Sequence, residues 1–143
     1  MKIPLRKQDW QQTLKYQVTF DDFTERHYVK KFIKRYSARV WNATKVAIGA
    51  ICMNAEMSVT TEKLETISHQ GNVLLCKLYF SVASTGKSPK GSGNRCIVVV
   101  DTHNVRAFVL LVYHKNDLVG VGNETVKWKR VIKNNYPQYG DLV

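Results

Sequence analysis

A small set of basic and titratable residues stands where a β-rich chain can bring it together. Lys77 lies inside the apolar run LLCKLYF, Arg95 opens RCIVVVD, and His114 and Lys115 close VRAFVLLVYH. A lysine in an apolar strand is costly unless its amine reaches water or an anion, so Lys77 is either an anion ligand or a snorkelling side chain on a partly solvated face. Arg95 offers a rigid fork that suits two phosphate oxygens, and its alternative is a salt bridge capping the strand. His114 titrates near neutrality and suits proton transfer as a general acid or base; otherwise it is an ordinary surface or core histidine. Lys115 adds charge beside a phosphate or simply ends a strand in solvent. Reaction at a phosphodiester without a metal would need a nucleophile aligned on phosphorus, the developing charge stabilised and the leaving oxygen protonated or held. Lys77, Arg95, His114 and Lys115 are therefore the catalytic candidates.

Around them lie residues suited to holding a nucleic acid. By the two-residue period of a strand, Lys77, Tyr79 and Ser81 share one face. Tyr79 and Tyr113 adjoin basic residues, where they either stack on a base or pack at the core rim. Lys87 and Lys90, on the glycine-rich stretch TGKSPKGSGN, either track a phosphate backbone or belong to a soluble loop. Asp117 reads as a turn or helix-side acceptor. Asp101 and Asp117 are a strand apart, with no acidic cluster to suggest a two-metal site. His27, His69 and His103 share no spacing that would bind zinc. No metal or cofactor is expected.

Composition sets the frame for that chemistry. The chain has 143 residues, enough for one domain, and 44% of them are hydrophobic, which excludes a wholly disordered polypeptide. Lys and Arg number 22 against 11 Asp and Glu, a formal charge of +11 that predicts an anionic partner: nucleic acid, an acidic protein or a membrane surface. Cys52, Cys76 and Cys96 form no CxxC pair and sit in apolar runs, as reduced, buried cysteines of a cytoplasmic protein do. The N-terminus has no signal-peptide core, and no run has the length of a membrane span.

The elements that must position these residues follow from periodicity. Residues 1–14 read as a polar N-terminal extension anchored at most by Trp10. Lys15–Phe20 alternates as a first strand. Thr24 and Glu25 open an amphipathic helix to Tyr36, carrying Tyr28, Val29, Phe32 and Ile33 on one face and Lys30, Lys31, Lys34 and Arg35 on the other. Ser37 caps a second helix through residue 57, with Val46–Met53 deep against a sheet. The pattern then fades, with Leu64 and Ile67 as buried points and Gln70-Gly71-Asn72 as a turn. Val73–Ser84, Arg95–Asp101 and Val105–His114 are strands, the last two joined by Thr102-His103-Asn104 with a positive backbone angle at Asn104. Thr125–Asn134 is a closing helix, and residues 135–143 form a tail. The order β-α-α-β-β-β-α is a single α+β domain, residues 15–134, with helices packed on a mainly antiparallel sheet.

This order resembles the RelE/ParE superfamily of bacterial type II toxin–antitoxin toxins, as do Lys63-Leu64, Lys77, Arg95, and Val112-Tyr113-His114-Lys115 with Asp117. The likeness is closer to the RelE-like mRNA interferase branch. It implies a cytoplasmic toxin that cleaves messenger RNA in the ribosomal A site, inhibits translation and is silenced by an acidic antitoxin. The ParE branch, which poisons DNA gyrase, gives the alternative of a non-enzymatic binding toxin. A decayed relative that binds only antitoxin or RNA is the other. In RelE-like toxins an aromatic near the start of the last helix stacks on a base; here Val121, Gly122 and Asn123 occupy that stretch.

Overall fold

A computed structural model describes residues 14–143; Trp10 and the rest of the expected extension up to residue 13 lie outside the described residues. Strand β1 (Gln17–Phe20) leads into helix α1 over residues 22–36, then α2 (Ala38–Met53) and the short α3 (Ala55–Thr60). Strands β2 (Glu65–Gln70), β3 (Val73–Phe80), β4 (Asn94–Asp101) and β5 (Arg106–His114) follow, and α4 (Glu124–Asn135) precedes a 3-10 segment, Pro137–Leu142. The five strands form one sheet in the order β1-β5-β4-β3-β2. All neighbours are antiparallel except β1 and β5, which run parallel with Gln17 opposite Arg106. The chain is thus α+β with a mixed, mainly antiparallel sheet, and the first strand does pair with the C-terminal meander.

Strand alternation divides two cores. Cys76, Leu78, Phe80, Cys96, Val98, Val100 and Val112 face Val29, Phe32, Trp41, Ile48 and Cys52 of α1 and α2. Leu75, Ile97, Val99, Leu111 and Tyr113 face Trp128 and Ile132 of α4, together with Tyr136 and Leu142. Helices therefore cover both faces. That explains why β4 is buried along nearly its whole length and reads as an unbroken apolar run. Burial raises the thiol pKa of all three cysteines: Cys52 to about 12, Cys76 to about 11 and Cys96 well above its ordinary value.

Several local expectations change. Asp21, not Thr24, caps α1, accepting the Phe23 N–H at 2.9 Å. Thr24 is buried and its Oγ1 accepts the Val112 N–H at 2.7 Å, where β5 runs on beyond the end of β1. Residues Glu25–Val29 of α1 form a π-helical turn. Ser37 caps α2 as expected, accepting from the Val40 N–H, but that helix ends at Met53 and only its Ile48 and Cys52 flank is deep. Val46 is 74% exposed, so the apolar stretch Val46–Met53 is not enclosed. The faded region holds β2, which pairs with β3 across the Gly71-Asn72 turn; Leu64 is buried, as its sequence position suggested. In the β4–β5 turn Val105, not Asn104, takes the positive φ, and the Asp101 carboxylate accepts from the His103 and Asn104 N–H groups. The glycine-rich linker contains a helical turn, Pro89–Ser92, capped by Ser88.

Candidate nucleic-acid interface

Two rows of the sheet build the site. Tyr79, Arg95 and Tyr113 are direct neighbours across β3, β4 and β5, and Lys77 lies one row further along, opposite Ile97. All four point to the α4 side, so the sheet delivers two cations and two phenols to the helix N-terminus. Glu124, the first residue of α4, meets them. Its Oε2 accepts from Lys77 Nζ at 3.0 Å, Arg95 Nε at 3.3 Å and Tyr113 Oη at 2.8 Å. Burial opposes ionisation of Glu124. The hydrogen bonds from Tyr113 and Lys77 and the charges of Lys77 and Arg95 outweigh it, and hold the carboxyl below its ordinary pKa. Burial and the Glu124 contact push the Tyr113 phenol far up, so it remains a donor.

The second wall is Tyr79. Arg95 Cζ lies 4.6 Å from its ring centroid, Lys90 Nζ 5.2 Å and Lys77 Nζ 5.3 Å, all within cation–π range. Arg95 Nη1 also donates to the carbonyls of Lys90 and Asn94, which ties the guanidinium to the helical turn within the linker. Beyond Tyr79 a solvent-open cavity of about 310 Å³ is bounded by Ile51, Glu62, Lys63, Tyr79, Pro89 and Lys90. An aromatic wall with lysines at the rim is chemistry that accepts a nucleobase and its flanking phosphates.

Lys77, Tyr79 and Arg95 are therefore gathered together, as their strand positions suggest, and Lys90 of the linker joins them over the Tyr79 ring. The side chains of Lys77 and Arg95 are only 10% and 9% exposed, and both face one carboxylate. Tyr113 is present but wholly buried, so its hydroxyl reaches the cluster while its ring has no face open to a base. His114 is not brought there. Strand alternation turns it to the opposite face from Tyr113. Its Nδ1 accepts the Asn116 N–H at 3.1 Å, and its ring lies against Gly93. Burial lowers its pKa; Arg35 and Lys115 act in the same sense, against Asp117 and the Ser92 backbone. Lys115 is exposed in a 3-10 turn, its N–H held by the Gly93 carbonyl, and Lys87 stands exposed on the linker. Asp117 makes a 3.6 Å ion pair with Arg35, a structural contact as expected.

Glu124 is the residue that sequence reading misses. Its one local signal is its spacing: an acid four residues before Trp128 lies on the same helix flank as a buried anchor. Compared with known proteins, the chain matches no protein-family model, no curated protein and no solved structure. Its function is therefore to be read from the cluster of Lys77, Tyr79, Arg95, Tyr113 and Glu124 itself.

Proposed function

We propose that this chain is a toxin-type endoribonuclease that binds messenger RNA over the Tyr79 face and cleaves it on the ribosome, with an acidic antitoxin as its cellular silencer. One observation carries the reading: two nearly buried cations, Lys77 and Arg95, share a single carboxylate beside an aromatic ring. One positive charge is left unbalanced where water is scarce, and desolvated positive charge is matched best by an anion with several acceptor oxygens. A phosphodiester supplies them. In the reaction the 2′-hydroxyl gives its proton to water as its oxygen bonds to phosphorus. The bond to the 5′-oxygen breaks and that oxygen takes a proton from water, leaving a 2′,3′-cyclic phosphate and a 5′-hydroxyl. Negative charge on the phosphoryl oxygens peaks in the transition state. Fixed cations there lower the barrier without reorganising. Arg95 holds the phosphate and Lys77 stabilises the charge, while Tyr79 and Lys90 receive the adjoining nucleotide. The exposed lysines of α1, Lys30, Lys31 and Lys34, offer a face to the antitoxin.

The ribosome and the toxin class come from the resemblance; the cation–aromatic cluster supports RNA contact. A second reading, a binding toxin without chemistry, is favoured by a different observation: Glu124 already sits on both cations where a reacting phosphate would have to bind. Single-turnover cleavage on saturated, programmed ribosomes separates the two. The nuclease reading expects cut ends in the message that folded Arg95→Ala and Lys77→Ala variants lose by about 10²-fold or more. An inactive parent that still binds ribosomes selects the second.

A further inference from the structure

We infer that Glu124 is an internal stand-in for the ligand: in the free protein its carboxylate occupies the oxyanion position formed by Lys77, Arg95 and Tyr113, and a phosphate group must displace it to bind. The identification of that phosphate as RNA rests on the function proposed above; the displacement itself does not.

Geometry carries the inference. Three donors from three different strands converge on one oxygen, Oε2, at 2.8 to 3.3 Å. That is the number and spacing of donors a phosphoryl oxygen takes. The donors are fixed by the sheet, with Lys77 and Arg95 about a tenth exposed, whereas the Glu124 side chain is 24% exposed. The side chain at the start of α4 therefore reaches solvent more than the cations it pairs with, and can leave them by rotation without moving the sheet. Trp128 and Ile132 keep α4 on the sheet at 1% and 0% exposure. The side chains just before Glu124 face solvent, Val119 and Val121 being 83% and 84% exposed, while Arg130 holds that segment to α4 by donating to the Val121 carbonyl at 3.0 Å. Asn123 Oδ1 caps the helix by accepting the Val126 N–H, so the first turn persists when the Glu124 side chain rotates outward.

Displacement leaves a measurable trace on Glu124. Its carboxyl is held below its ordinary pKa by the Lys77 and Tyr113 contacts and the Arg95 charge, against burial. A phosphate that takes those donors and adds negative charge beside it removes the cause of the depression.

The test titrates inorganic phosphate, and separately a 2′-O-methyl oligoribonucleotide that lacks the attacking hydroxyl, into the wild-type chain, Glu124→Gln and the double variant Glu124→Gln with Arg95→Ala. Glu124→Gln is expected to bind inorganic phosphate at least about tenfold more tightly than wild type, and the double variant to lose that gain. In the wild-type protein, the Glu124 carboxyl resonance followed by NMR should titrate at higher pH when phosphate is saturating. Equal or weaker phosphate binding by a folded Glu124→Gln, or a Glu124 titration that phosphate leaves unmoved, overturns the inference. The wild-type titration decides the matter even if the variant fails to fold. Tighter phosphate binding by Glu124→Gln with no gain for the oligoribonucleotide keeps the displaced carboxylate and removes RNA as the ligand.

Discussion

Lys77, Arg95, Tyr113 and Glu124 form one charged unit, so a change at any of them acts through the others. Glu124 has a depressed pKa in the folded chain, so its contribution to stability is present above the ordinary carboxylate value and is lost as pH falls through the folded value. Acid unfolding followed by circular dichroism should therefore show Glu124→Gln less stable than wild type at neutral pH. The gap should begin to narrow as pH falls below about 4, where unfolded glutamates take up protons, and close once pH has passed below the depressed folded value. A gap that persists unchanged at low pH would show that the ion pairs do not contribute. Part of this unit was legible in the sequence. A lysine inside LLCKLYF and an arginine opening the next apolar run are anomalies that local physics flags. Glu124 was not, because an acid at a helix start is ordinary and its partners come from 29, 47 and 11 residues away. His114 misled for the complementary reason. It stands beside Tyr113 and Lys115 in the chain, but strand alternation assigns it to the other face.

At the scale of elements, one buried hydroxyl adds a specific tie between α1 and the sheet. β1 pairs with β5 only as far as Val109, and Thr24 Oγ1 satisfies the Val112 N–H beyond it. Thr24→Val keeps the shape and removes the acceptor. It should cost about 1–3 kcal/mol in a urea unfolding series, while Thr24→Ser should recover most of that. Equal stabilities of the valine and serine variants would mean that the hydrogen bond is immaterial. Gly93 is a second pivot, at φ +83° with its missing Cβ only 2.5 Å from His114 Nε2. Gly93→Ala should lower stability by more than about 1 kcal/mol, and adding His114→Ala should return only the steric share, since the backbone angle stays strained. Full recovery in the double variant would assign the whole effect to the ring. The strong elements were readable because α1, α2, β3, β4 and β5 carry dense apolar periodicity. β2 was not. Its sequence ETISHQ is an edge strand with one partner and little burial, so pairing across the Gly71-Asn72 turn forms it rather than any apolar face of its own. The break at Asn54 that divides α2 from α3 is equally silent in the sequence, where apolar residues run straight through.

Over the whole molecule, a formal charge of +11 on 143 residues governs how an anion approaches, and the cluster at Arg95 governs what happens on arrival. These two roles separate by salt. Lys87 and Lys90 are exposed on the linker, so under the proposed function the contacts they would make with RNA exchange for condensed counterions. Arg95 and Lys77 sit beneath Tyr79 and Glu124 and act at short range. For single strands each neutralised phosphate contributes about 0.7 to the slope of log affinity against log salt. If both linker lysines contact the backbone, the Lys87→Ala, Lys90→Ala double variant should shallow that slope by about 1.4 and weaken binding at low salt. Its single-turnover cleavage rate at saturation should stay near that of the parent. Arg95→Ala should do the reverse: a smaller change of slope and a loss of the chemical step. Fluorescence anisotropy of a labelled, 2′-O-methyl RNA at four or more salt concentrations gives the slopes, and cleavage on saturated ribosomes gives the rates. An unchanged slope in the double lysine variant would place the approach path elsewhere on the basic surface, with the Lys30, Lys31 and Lys34 face of α1 the next to be tested.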